Sequence, residues 1–138
     1  SKVMRLALEP ALILEDFSRT TVDVFAEIIQ ADGSTRVAGI NAASLALATA
    51  GIPMRDLVVA CSAGKIDGTL LLDLNGKEDN NSEADVSIAM LPSKGEITLL
   101  QMDGNLTKEE ISKLLAEAKE ALEKIYEKQK EALRSFYK

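Results

Sequence analysis

Residues 36–50 form a run rich in Ala and Leu, with small side chains at Ala38, Gly39, Ala42, Ala43 and Ala46. Asp32-Gly33-Ser34-Thr35 supplies turn and N-cap chemistry ahead of the run, and Gly51 with Pro53 closes it. That punctuation predicts one helix. Its small residues let other backbone approach closely, so the helix is expected inside the molecule with the core wrapped around it.

The rest of the chain supplies a sheet and two more helices. Apolar residues at Val3, Met4, Leu6, Ala7, Leu8, Ala11 and Leu14 follow helical spacing over residues 1–15, with Pro10 as a weak point. Residues 21–30 alternate as a strand does. Residues 57–62 and 69–74 read as a hairpin around a turn at 64–68, and 85–91 with 96–102 as a second strand pair around Pro92-Ser93-Lys94-Gly95. Between the pairs, residues 75–84 lack apolar periodicity and read as loop. Thr107-Lys108-Glu109-Glu110 matches a capping box, and Ile111, Leu114, Leu115, Ala118, Leu122, Ile125 and Tyr126 mark the buried stripe of a final helix. A length of 138 residues suits one domain, 1–138, of α/β (α+β) class with a mixed or antiparallel sheet packed on helices.

Composition narrows the chemistry. The chain has no histidine, which excludes an imidazole base, a Ser-His-Asp triad and a His-ligated zinc site. Cys61 is the single cysteine, so disulfide frameworks and cysteine metal clusters are excluded, and a reducing compartment, the cytoplasm, is expected. The longest apolar stretches, such as residues 42–50, fall far short of the roughly 20 residues of a membrane span. The opening residues do not lead into a signal peptide, because Glu9, Pro10, Glu15 and Asp16 interrupt the apolar run. With a helical pattern already under way at Ser1, residues upstream are expected.

The formal charge of −6 is unevenly placed. Residues 67–85 carry Asp67, Asp73, Glu78, Asp79, Glu83 and Asp85 against Lys77 alone, a local balance of −5. Two constellations follow from this layout. At Asp32-Gly33-Ser34-Thr35-Arg36, free helix-start amides, two hydroxyls and a guanidinium suit an anion such as phosphate. The plainer alternative is a helix cap with Arg36 paired to a nearby acid, and the segment is not a P-loop. In the acidic segment, crowded carboxylates raise one another's pKa and attract a hard cation such as Mg2+, whereas a plain loop would be acidic for solubility. Asp85 stands apart there because it leads directly into a strand, where a carboxylate is held.

Gln30-Ala31-Asp32-Gly33-Ser34-Thr35-Arg36 followed by Ala42-Ala43-Ser44-Leu45-Ala46-Leu47-Ala48 resembles the RNase PH family. Leu72-Asp73-Leu74 with Glu78-Asp79 and Glu83-Ala84-Asp85, then Leu99-Leu100-Gln101-Met102-Asp103-Gly104, continue the likeness. With Ala7-Leu8-Glu9-Pro10-Ala11 and Gly51-Ile52-Pro53-Met54-Arg55-Asp56-Leu57 it covers essentially the whole chain and is closest to the branch formed by the catalytic RNase PH-like subunits of the archaeal exosome.

The resemblance implies a ribosomal-protein-S5-domain-2-like fold and phosphorolytic 3′-to-5′ degradation of RNA, with inorganic phosphate as co-substrate and nucleoside diphosphates as products. Carried over by position, Gly33, Ser34, Thr35 and Arg36 would hold phosphate. Asp79 and Asp85 would form the catalytic pair and the Mg2+ ligands, Asp79 protonating the departing 3′ oxygen. The family's Gly-Gly-Thr-Arg reads Gly-Ser-Thr-Arg here. The implied partners are an RNA 3′ end and a noncatalytic sister subunit of the same family in a hexameric ring, with neither DNA nor a membrane involved. Family members carry further strands and RNA-gripping basic residues ahead of the helix near Ser1, so these 138 residues alone are expected to bind RNA poorly and to be nearly inactive. The competing reading is a noncatalytic assembly module of such a ring.

Overall fold

In a computed structural model, residues 2–13, 35–72 and 83–137 are described. The expected strand over 21–30 and residues 75–82 of the loop expected over 75–84 lie outside them, while Ala84 at the end of that loop is already strand. Among the described residues four strands, β1 (Val59–Ile66), β2 (Thr69–Leu72), β3 (Ala84–Leu91) and β4 (Glu96–Gly104), form one antiparallel sheet in the order β2-β1-β3-β4. Helices α1 (Lys2–Leu8) and α2 (Thr35–Thr49) cover one face, and α3 (Lys108–Phe136) covers the other. The expected α/β class with an antiparallel sheet packed on helices is observed. No helix among the described residues is long and apolar enough to cross a membrane.

Strand alternation divides the core in two. Val58 and Ala60 near and on β1, Ala89 and Leu91 on β3, and Leu99 on β4 pack against Ala7, Leu8, Val37, Ile40, Ala43 and Leu47. Their neighbours Val59, Cys61 and Ala63, with Val86, Ile88 and Met90, pack against Leu114, Ala118 and Leu122 of α3. A period of two places successive side chains on opposite faces, so the central strands are buried on both surfaces over residues 58–64 and 86–91.

Several expectations are sharpened. The helix over 1–15 ends at Leu8; a 3-10 turn spans Glu9–Ala11, and Leu12 is extended and bridges Met54. Pro10 has no N–H to offer the helical ladder, so the tighter turn takes over there. The turn expected over 64–68 shrinks to Asp67-Gly68: both have positive φ (49° and 77°), and Ile66 pairs with Thr69 across a two-residue loop. A twist-matched turn of this kind lets β1 run on through Gly64 and Lys65. α2 ends as predicted, with Gly51 at φ 78° and the N–H groups of Gly51 and Ile52 donating back to Ala48 and Leu47. It is not enclosed on all sides, however: Val37, Ile40, Ala43, Ser44 and Leu47 are buried, while Ala38, Ala42 and Ala46 are exposed along the outer face.

Among the described residues β2 covers β1 from Ala63 onward, and other partners meet the outer edge at Val58 and Ala60. Side chains complete it. Asn41 of α2 donates to the Ala60 carbonyl and accepts from its N–H, both at 2.9 Å. Ser44 Oγ accepts from the Val58 N–H at 2.8 Å, and Gln129 of α3 donates to the Val58 carbonyl and to Asn41 Oδ1, both at 3.0 Å. Buried backbone groups need partners, and here two helices supply what a neighbouring strand would otherwise give. Asp56 does similar work beside it, accepting from the N–H groups of Leu57 and Ser93 and from the hydroxyls of Ser93 and Tyr126.

Candidate active site

The face of the sheet under α2 changes character along its length. Towards one end it is apolar, at Val58, Ala60, Ala89, Leu91 and Leu99. Towards the other, the same face presents Ser62 and Gly64 of β1, Asp85 and Ser87 of β3, and Gln101 and Asp103 of β4. The register fixes this: Ser62 pairs with Ser87 and Gly64 with Asp85, while Ser87 pairs with Gln101 and Asp85 with Asp103. Directly opposed residues of an antiparallel pair project to the same side. The result is a floor of small and polar groups, in which Ser62 and Ser87 are buried and Asp85 is partly so.

Arg36, in the first turn of α2, reaches this floor. Its Nη1 donates to Gln101 Oε1 at 2.7 Å, across 65 residues of sequence. Gln101 lies opposite Ser87, and Asp85 lies two residues along β3 on the same face, a rise of about 7 Å. The guanidinium and the carboxylate are thereby brought to one side of one strand pair. Among the described residues the acceptor of this hydrogen bond is a neutral amide.

Asp85 is held at the root of the acidic segment. The Glu83 N–H donates to the Lys65 carbonyl at 2.7 Å, and the Glu83 carboxylate accepts from the Gly68 N–H at 3.2 Å. Lys65 Nζ lies 3.9 Å from Glu83 and 2.8 Å from Glu110. The hydrogen bond from Lys65, reinforced by the Thr107 N–H, holds the Glu110 carboxyl below its ordinary value, and the same contact raises Lys65. Glu110 is also one half of the capping box that starts α3. On the other side Gly104, at φ 98°, lies so close to the chain that an added Cβ would meet the Ala84 Cα at 2.8 Å and the Glu83 carbonyl oxygen. The backbone entering β3 is thus clamped from β1, from β4 and from α3.

Of the residues expected to act, Arg36 and Asp85 are on one side of the β3–β4 pair. Thr35 opens α2, while Gly33, Ser34 and Asp79 lie outside the described residues. Sequence reading missed Gln101 and Asp103. Their signal was the alternation Leu99, Gln101, Asp103 against Leu100 and Met102, which places both on the face of Asp85 once the register is known. The described residues hold no group of three or more acids and thiols suited to a metal ion. Asp85 and Asp103 are an opposed pair of hard oxygen donors, unfavourable without a counter-charge.

Known proteins are similar to this chain in sequence and in fold. Profiles of the 3′ exoribonuclease family match the chain twice, domain 1 over residues 1–53 and domain 2 over residues 56–121. An exosome complex component Rrp41 of Pyrococcus furiosus is 73% identical over 110 residues, which are 80% of this chain and 44% of the relative. Another, from Thermoplasma volcanium, is 51% identical over 121 residues, 88% of this chain and 49% of the relative. The chain therefore spans about half the length of the curated relatives it matches. Among solved structures, rice (Oryza sativa) Rrp46 superposes with a TM-score of 0.70 at 25% identity, over 78% of this chain and 50% of that one.

Proposed function

Because the chain belongs to the 3′ exoribonuclease (RNase PH) family, we propose that it is part of a catalytic exosome subunit that degrades RNA phosphorolytically from the 3′ end. The observation that carries this reading is Arg36 standing over the strand pair that bears Asp85. A cation fixed above a carboxylate-bearing floor is what an attack by phosphate on a phosphodiester needs. One group neutralises the incoming anion, and others handle the leaving oxygen. The names of the relatives support the assignment to an exosome.

In this mechanism Gly33, Ser34, Thr35 and Arg36 bind inorganic phosphate, the helix-start amides and the guanidinium both favouring an anion. An oxygen of that phosphate attacks the terminal phosphorus and the bond to the preceding 3′ oxygen breaks. Asp79 gives that oxygen its proton. The terminal nucleotide leaves as a nucleoside diphosphate, and the RNA is one residue shorter. Asp85 orients the site and, with Asp103 opposite, offers oxygen donors of the kind Mg2+ takes through one or two carboxylates. A bound Mg2+ would neutralise charge on the phosphates. The cytoplasm, a hexameric ring and a noncatalytic sister subunit complete the proposal.

The test is RNA shortening by the assembled enzyme with and without phosphate. The wild type is expected to release nucleoside diphosphates only when phosphate is present. Asp85→Asn is expected to lower kcat by about 100-fold or more, and Arg36→Ala to raise the KM for phosphate. Assembly without phosphate-dependent shortening would favour the scaffold reading, and full activity in Asp85→Asn would remove that residue from the mechanism.

A further inference from the structure

We infer that Gln101 is a positioning residue that aims the Arg36 guanidinium at phosphate while leaving its charge unspent, an inference that rests on the function proposed above. Arg36 is an exposed residue on the first turn of a helix, where a long side chain has many rotamers. Its Nη1 is held at 2.7 Å by Gln101 Oε1, a distance in the range of charge-assisted hydrogen bonds. Gln101 is itself fixed by the β3–β4 ladder, opposite Ser87 and two residues from Asp103.

The chemical identity of the acceptor carries the argument. A carboxylate in the same place would hold the guanidinium more firmly, yet it would cancel the charge that phosphate must feel. It would also add a third acid to a face that already holds Asp85 and Asp103. An amide oxygen orients without neutralising. A guanidinium has five N–H donors, so one hydrogen bond to Gln101 leaves most of the fork for an anion.

Two substitutions separate orientation from packing. Gln101→Glu keeps the length and the acceptor but brings a charge; Gln101→Met keeps the length and removes the acceptor. In the assembled enzyme, Glu is expected to raise the KM for phosphate about tenfold and Met about threefold, with kcat within about twofold and the KM for RNA unchanged. A merely structural role reverses the order, because Glu still accepts the hydrogen bond and Met does not. Met as damaging as Glu, or an unchanged phosphate KM in either variant, overturns the inference while leaving phosphorolysis standing. Should Gln101→Glu not assemble, a phosphate KM raised about threefold in the Met variant with kcat and the KM for RNA unchanged supports the inference, and an unchanged phosphate KM or a loss shared with kcat overturns it. A wild type indifferent to phosphate overturns the function and the inference together.

Discussion

Lys65 is bound by carboxylates from two directions, Glu110 at the start of α3 and Glu83 at the start of β3. Its hydrogen bond is the largest cause of the lowered pKa of Glu110. A carboxyl lowered on folding stabilises the native state above its unfolded value, here 4.5, and that contribution is lost as pH falls through the folded value. Lys65 works in the opposite sense: it is raised above 10.5, so its contribution is present below that value and is lost as pH rises through the folded one. Urea midpoints measured from pH 4.5 downward should therefore fall more steeply in the wild type than in Lys65→Met. The variant keeps some slope, since the Thr107 N–H still favours ionised Glu110. At this scale the sequence pointed to candidate groups but not to what faces them. Arg36 and Asp85 stand out because a guanidinium after a helix cap and a carboxylate at a strand start are unusual places for charge. Gln101 does not, because its meaning comes from a partner 65 positions away.

Helix α3 shows how far periodicity carries and where it stops. Thr107 and Glu110 announce its start, and the buried positions Leu114, Ala118 and Leu122 fall on the expected stripe. Gln129 continues the stripe seven residues on and is 5% exposed, yet as a polar residue it reads from sequence as part of the wet side. Its amide is fully used: Nε2 serves Asn41 and the Val58 carbonyl, and Oε1 accepts from Ser44 Oγ at 3.2 Å. Gln129→Leu would leave Ser44 and the Val58 carbonyl short of partners in a dry place. A loss of about 2–4 kcal/mol is expected, read as a lower urea midpoint with an unchanged slope. The hairpin teaches the complementary lesson. Gly64 and Lys65 look like turn residues, but Asp67-Gly68 closes the turn alone, and the extra length of β1 is what gives Asp85 a strand to pair with.

For the whole molecule, the class of fold was legible because two strand pairs and punctuated helices leave few ways to pack. The strand order was not, since nothing local says that β3 joins β1 on the side away from β2. That order puts β1 and β3 in the middle, with Cys61 on β1 paired to Ile88 and 1% exposed. Labelling of this thiol under native conditions should proceed only through global opening, so its rate should rise with urea along the slope of the equilibrium transition. A rate insensitive to urea would point to a local opening instead. The division of the sheet into two faces reaches into the history of the sequence. On β1 and β3, the residues turned towards α3 answer to volume, and those turned towards α2 near Asp85 answer to charge and hydrogen bonding. Interleaved one by one along the same strands, the two sets can drift separately. An apolar exchange at Ile88 is a matter for α3, while a change at its neighbour Ser87 is felt on the face that carries Gln101, Asp85 and Asp103.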